Sequence, residues 1–274
     1  MSIYFDNAAT SPLRKEVIES INEVLVDTYG NPSSNHSFGR KAKTLIENSR
    51  KIISSILNVS PQEIIFTSGG TESDNMLLRS AVEDLNIKTI ISTKIEHHAI
   101  LHALDYLQKK NISIVYLPLD RNGEFKYQDL ERALISDDSK KLVSLMHVNN
   151  EIGNMIDLEY LSKICKSNGA LLHTDAVQSI GHFKIDLNKI KVDFLSAAAH
   201  KFHGPKGVGF SFIRKNSGLN PFILGGSQEK GLRAGTESVH NIVGMSKALE
   251  LADKNLEEES KYVRNLKKYA IRKI

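Results

Sequence analysis

One cysteine in 274 residues, Cys165, excludes an internal disulfide and fits a reducing compartment. No apolar run approaches the roughly 20 residues needed to cross a bilayer. The N-terminus, MSIYFDNAAT, has no basic stretch followed by an apolar one, so neither a spanning helix nor a leader is expected. Internal repeats and low-complexity linkers are absent too. Charge of one sign is scarce: 36 Lys and Arg against 32 Asp and Glu leave a net +4. The basic residues are dispersed except in the last stretch, KYVRNLKKYAIRKI, which reads as a solvated helix face rather than a nucleic-acid footprint. These absences lead to the expectation of a cytoplasmic protein with no membrane or nucleic-acid partner.

What is present is enough for a large core, with 41% hydrophobic and 25% charged residues. Residues 1–12 read as a short strand followed by a tight turn. Residues 13–28 carry Leu13, Val17, Ile21, Val24 and Leu25 at helical spacing, GNPSSNHSFGR (30–40) is a loop, and a helix over about 40–57 follows. From residue 64 onward short apolar runs alternate with helical stretches: 64–67, 89–93, 112–119, 142–148, 170–176, 194–199 and 207–213. Seven such runs predict an α/β fold with a mostly parallel seven-stranded sheet flanked by helices, and ligands at the carboxyl ends of its strands. Residues 244–272 read as one long helix with an apolar stripe.

The polar clusters sit just after those runs. AAAHKFHGPKGVG (197–209) delivers Lys201 from a buried strand into a glycine-rich loop. Desolvation there lowers an amine's pKa and exposes a nucleophile suited to Schiff-base chemistry, whereas the plainer reading is a strand-end lysine laid over apolar neighbours. SGGTE (68–72) opens a helix, where Gly70, Thr71 and the helix N-terminus suit an anion or an ordinary capped turn. In HTDAVQ (173–178), Asp175 needs a cation if it is to stay charged, and a pyridinium nitrogen would serve; the plainer role is a helix cap. Gln178 can reach a ring substituent. In EHHA (96–99), His97 can stack on a flat ring and move protons. His98 and His102 are four apart, but no carboxylate or cysteine completes a ligand set, so no metal site is expected. HVNNEIG (147–153) offers amides including Asn150, and the glycine-rich 225–237 offers Arg233 and Thr236 to an anion. Lysine amine, ring-nitrogen carboxylate, stacking histidine and anion cradle together are the set that pyridoxal 5'-phosphate requires.

DNAAT, GNPSSNHSFGR, FTSGGTESDN, EHHA, MHVNNEIG, HTDAVQS, HKFHGPKGVG and RAGTE occur in the order found in cysteine desulfurases. The chain resembles, more narrowly, the NifS/IscS-like branch of the class V aminotransferases, which supplies sulfur for iron–sulfur clusters and tRNA thiolation. The resemblance implies a fold-type I pyridoxal-phosphate enzyme acting on L-cysteine. It casts Lys201 as the Schiff-base lysine, His97 as the ring-stacking and catalytic histidine, Asp175 as the pyridinium partner and Gln178 as the ligand of the phenolic oxygen. Asn150 would sit beside cofactor and substrate, and Gly70, Thr71 and His200 would hold the phosphate. Thr236 would reach the phosphate of a second subunit, implying a homodimer with shared sites and a sulfur-acceptor protein as partner. The implied organisation is residues 1–12 as part of a small domain, 13–245 as the large cofactor-binding domain and 246–274 as a helix leading toward a C-terminal domain largely missing here.

Two positions depart from the family pattern. Ala198 stands where a phosphate-binding serine is expected. The region that carries the nucleophilic cysteine and a carboxylate-binding arginine has no counterpart in this sequence, and Cys165 matches no catalytic motif and reads as a packed core residue. Alternatives are a non-catalytic, cofactor-binding dimeric scaffold, or a lyase or aminotransferase of the same fold that needs no thiol.

Overall fold

The computed structural model describes residues 3–273. Seven strands form one sheet: β1 (Ile64–Thr67), β2 (Thr89–Ser92), β3 (Ser113–Tyr116), β4 (Lys141–Ser144), β5 (Leu171–Asp175), β6 (Phe194–Ala198) and β7 (Gly209–Ile213). Their order is β1-β7-β6-β5-β4-β2-β3; neighbours pair in parallel except β7, which runs antiparallel to both β6 and β1. Every residue of β1, β2, β4, β6 and β7 is buried, the pattern of strands covered on both faces. β3, at the sheet's end, is the most open. The sheet expected from the sequence is therefore present, strand for strand.

Alternate residues of each strand feed two cores. Ile64, Phe66, Leu195 and Ala197 pack with α1 (Lys15–Asp27), α2 (Ser37–Ile56) and α7 (Val239–Lys254), while α5 (Tyr127–Leu134) and α6 (Leu158–Ser167) extend the same layer. Ile65 and Phe194 turn the other way, onto α3 (Gly70–Leu85) and α4 (His98–Gln108). Pairing in register puts His173 opposite Phe194 and Asp175 opposite Ser196, so all four share the α3 face.

Two local expectations are corrected. Residues 3–12 form no strand; they turn at 7–9 and lie against the loop after β6, where Ser11 N–H donates to the His200 carbonyl at 2.9 Å. The Ser11 N–H and the Ala8, Ala9 and Pro12 carbonyls find their partners in that loop rather than at a sheet edge. The first two residues of that expected strand lie outside the described ones. The helix expected over 244–272 begins earlier and breaks at Asn255 into α7 and α8 (Leu256–Lys273). Asn is a weak helix former, and it falls where packing stops: α7 buries Ile242, Met245, Ala248 and Leu249, whereas α8 buries nothing.

Candidate active site

A cleft of about 480 Å³ opens at the carboxyl ends of β5 and β6. Eight of the residues singled out in the sequence line it: Gly70, Thr71, His97, Asn150, Asp175, Gln178, His200 and Lys201. Thr236 does not; it is exposed and borders a separate hollow with Ser68, Gly207 and Arg233.

Lys201 ends a single 3-10 turn, Ala199–Lys201, that continues directly from β6. The turn is pinned by Phe202, which is fully buried, and by Gly204 N–H donating to the Ala199 carbonyl at 2.9 Å. Half-buried, the Lys201 amine donates to the carbonyls of Ala8 and Ala9. Burial lowers its pKa, against the opposing pull of Asp175 and Asp6. Carbonyl oxygens are poorer partners for an ammonium than carboxylates, so this amine is held in place without being locked in its charged form.

Asp175 ends β5 and is 5% exposed. Its Oδ1 accepts the Val177 N–H at 2.9 Å. Desolvation first, and the nearby Asp74 carboxyl second, push its pKa up to about 7, with His173 and His97 pulling the other way. A buried carboxylate without a lysine or arginine partner is the acceptor that a cationic ring nitrogen would complete.

The opposite wall is the first turn of α3. No side chain caps this helix, so the N–H groups of Gly70 and Thr71 remain available to an anion. A Cβ on Gly70 would stand 2.8 Å from Val177 Cγ2, so the wall narrows with any side chain there. Glu72 in the same turn is neutralised by Arg233 at 2.7 Å and accepts the Ser68 N–H at 2.9 Å, which keeps its charge away from the open N–H groups. Ala198 adds no hydroxyl to this wall. His97 caps α4, its Nδ1 accepting the Ala99 N–H at 3.1 Å, which puts the ring proton on Nε2. Gln178 donates to the Ala8 carbonyl at 2.9 Å, Asn150 to Glu151 Oε1 at 2.8 Å, and His200 Nδ1 lies 3.2 Å from Thr10 Oγ1. Amine, buried carboxylate, open helix N-terminus and imidazole thus converge, and this donor set fits pyridoxal 5'-phosphate.

Sequence reading passed over three groups. Asp74 lines the cleft four residues after Gly70, hence on the same side of α3, and burial pushes its pKa up to about 7. His173, two residues before Asp175, shares its face of β5; that period was visible in HTD. Glu96 is buried under the cleft, accepting the Thr93 hydroxyl and the Met146 N–H, both at 2.9 Å, with its pKa pushed up to about 8 by burial. Cys165 is 1% exposed on α6, and burial raises its thiol to about 12. His98 and His102 stand as a pair with ring centroids 5.2 Å apart, and no group of three metal-ligating side chains occurs among the described residues. Nor is any described helix long and apolar enough to cross a membrane.

The sequence matches the family model described as aminotransferase class-V over residues 3–274. The cysteine desulfurase IscS of Dictyoglomus turgidum is 47% identical over an alignment of 274 positions that covers 99% of this chain and 69% of that protein. A solved structure of a NifS-like protein superposes with a TM-score of 0.95 at 41% identity, covering 99% of this chain and 75% of the other. A second, described as SspA in complex with cysteine, gives a TM-score of 0.87 at 36% identity, over 91% and 72%.

Proposed function

The chain belongs to the class-V aminotransferase family, among its cysteine desulfurases, and from that premise we propose that it uses pyridoxal 5'-phosphate to take sulfur from L-cysteine. The observation that carries the reading is the convergence of Lys201, Asp175 and the uncapped start of α3 on one cleft. Bound there, the cofactor supplies the electron sink that weakens bonds around the α-carbon of an amino acid. Lys201 supplies the amine that holds it, released from the Ala8 and Ala9 carbonyls. Asp175 keeps a proton on the ring nitrogen, and the N–H groups of Gly70 and Thr71, with His200, hold the phosphate. His97 flanks the ring and holds a transferable proton at Nε2; Gln178 and Asn150 orient the ring oxygen and the substrate.

Net, L-cysteine and a thiol give alanine and a persulfide: the C–S bond breaks, the S–S bond forms, and the thiol proton ends on carbon. The accepting thiol is not Cys165, which is buried and protonated. A homodimer with Thr236 serving the site of the second subunit, and a protein that takes up the sulfur, belong to this reading; Thr236 supports it by being exposed and outside the cleft of its own chain. The buried Cys165 favours one second reading, a cofactor-binding scaffold without turnover.

Alanine release from L-cysteine by the purified chain, with pyridoxal phosphate and a thiol reductant as acceptor, tests both. Alanine above the level of Lys201→Ala supports desulfuration. A visible cofactor band that Lys201→Ala abolishes, without alanine, supports the scaffold. Absence of both overturns the cofactor assignment.

A further inference from the structure

Behind Asp175 the wall of the cleft continues as a row of buried polar groups under α3. β4 brings Ser144 beside His173, and β6 brings Ser196 beside Asp175. His173 is fully buried, with Nδ1 2.9 Å from Ser144 Oγ and Nε2 3.3 Å from Ser196 Oγ. Asp74 descends from α3 and is 1% exposed. Its Oδ1 lies 3.5 Å from His173 Nε2 and has no hydrogen-bond partner.

Among the described residues, no lysine or arginine pairs with Asp74 or Asp175. Two buried carboxyls on one wall without a cation do not both ionise, because desolvation and mutual repulsion act together. The environments of the two are unequal. Asp175 has the Val177 N–H as a donor and the Lys201 amine and His97 imidazole nearby. Asp74 has the neutral Ser196 hydroxyl favouring its charged form, but an Oδ1 with no hydrogen-bond partner, next to an imidazole whose Nδ1–H can donate to Ser144, leaving Nε2 as an acceptor. The other ionisable group bearing on the pair is Glu96, from the connection between β2 and α4.

We propose that Asp74 is a positioning residue acting through Asp175: it keeps a proton on Oδ1, beside His173 Nε2, so that the single negative charge of the pair stands on Asp175. The proposal rests on the cofactor reading for its purpose, since a fixed charge at Asp175 is what a protonated ring nitrogen needs. Its content, the division of charge between two carboxyls, belongs to the chain alone. A merely structural Asp74 would titrate without regard to the charge on Asp175.

The test is carboxyl-carbon NMR titration of the full chain, ¹³C-labelled in aspartate and free of cofactor. Asp74→Asn and Asp175→Asn assign the two signals, and far-ultraviolet circular dichroism checks the fold. As pH rises, Asp175 should ionise before Asp74. Asp175→Asn should lower the midpoint of Asp74 by about half a pH unit or more, whereas Asp74→Asn, replacing a carboxyl still neutral when Asp175 ionises, should move the midpoint of Asp175 by less than that. If Asp74→Asn does not fold, the Asp175→Asn arm decides alone. Asp74 ionising first, an Asp74 midpoint that ignores Asp175→Asn, or an Asp175 midpoint that falls by about half a unit or more in Asp74→Asn, would overturn the proposal. A second titration with pyridoxal phosphate separates the two ideas. The cofactor should hold Asp175 ionised throughout, while coupled midpoints that do not respond to it would sink the cofactor reading and leave the charge division standing.

Discussion

Asp175 and Cys165 illustrate opposite uses of burial. Both are almost completely enclosed, yet one borders a cleft and lacks a cation, and the other is surrounded by core. Replacing Asp175 by Asn removes the charge a ring nitrogen would meet, and the expected loss in pyridoxal-phosphate affinity is about tenfold or more, read by equilibrium dialysis. The thiol of Cys165, pushed up to about 12, should stay unreactive toward a maleimide until the chain unfolds. Cys165→Ala should cost about 1 kcal/mol of stability in urea denaturation and leave alanine release unchanged. A loss of turnover in that variant would reassign the nucleophile.

At the scale of elements, the start of α3 and the loop after β7 show how backbone is held for a purpose. Gly70→Ala puts a Cβ 2.8 Å from Val177 Cγ2 and narrows the cradle. It should weaken cofactor binding by about tenfold while shifting the melting temperature little, since the same change favours the helix. The loop around Glu229 has two consecutive non-glycine residues with positive φ, Glu229 at 44° and Lys230 at 59°. Such backbone persists only when the surroundings over-determine it. Here the anchor is Glu229 itself, which accepts both Arg50 terminal nitrogens at 2.8 Å and the Phe66 N–H at 2.7 Å. Glu229→Ala would strip the buried Arg50 of its bidentate partner, leaving the Ile64 carbonyl and the more exposed Glu47, so a loss of about 3 kcal/mol is expected in chemical denaturation. A loss below 1 kcal/mol would mean the loop is held by something else.

The whole molecule carries the titration of its buried groups. Asp74 and Asp175 are raised to about 7 and Glu96 to about 8, all from ordinary carboxylate values, so the folded chain binds protons that the unfolded chain has released. Stability therefore falls as pH rises through this range. Below pH 6.5 the buried His147 and His173, both lowered to about 4, act in the opposite sense. Between about pH 6.5 and 8 the carboxyls act unopposed by them, and the cofactor-free chain should melt at a lower temperature at pH 8 than at 6.5. Scanning calorimetry across that window checks the sign, and a flat or rising profile would show that the three carboxyls ionise freely.

Periodicity and punctuation in the sequence determined the seven strands, because a strand buried on both faces must be an unbroken apolar run and its polar neighbours must fall at its ends. They also marked Lys201, Asp175, Gly70, Thr71, His97, Asn150, Gln178 and His200, since each follows such a run. Asp74 and His173 were legible only as helical and strand periods, and nothing local told a reader that these two residues, 99 positions apart, would meet. The pairing of β4, β5 and β6 beneath α3 decided that. Likewise the first residues read as a strand and the last as one helix, because both have the right local pattern. Only tertiary structure decided that residues 8–12 would bond their backbone to the Lys201 loop, and that the last helix would break at Asn255. Hydrogen-bond partners and burial are supplied by distant chain, and a local pattern carries no record of them.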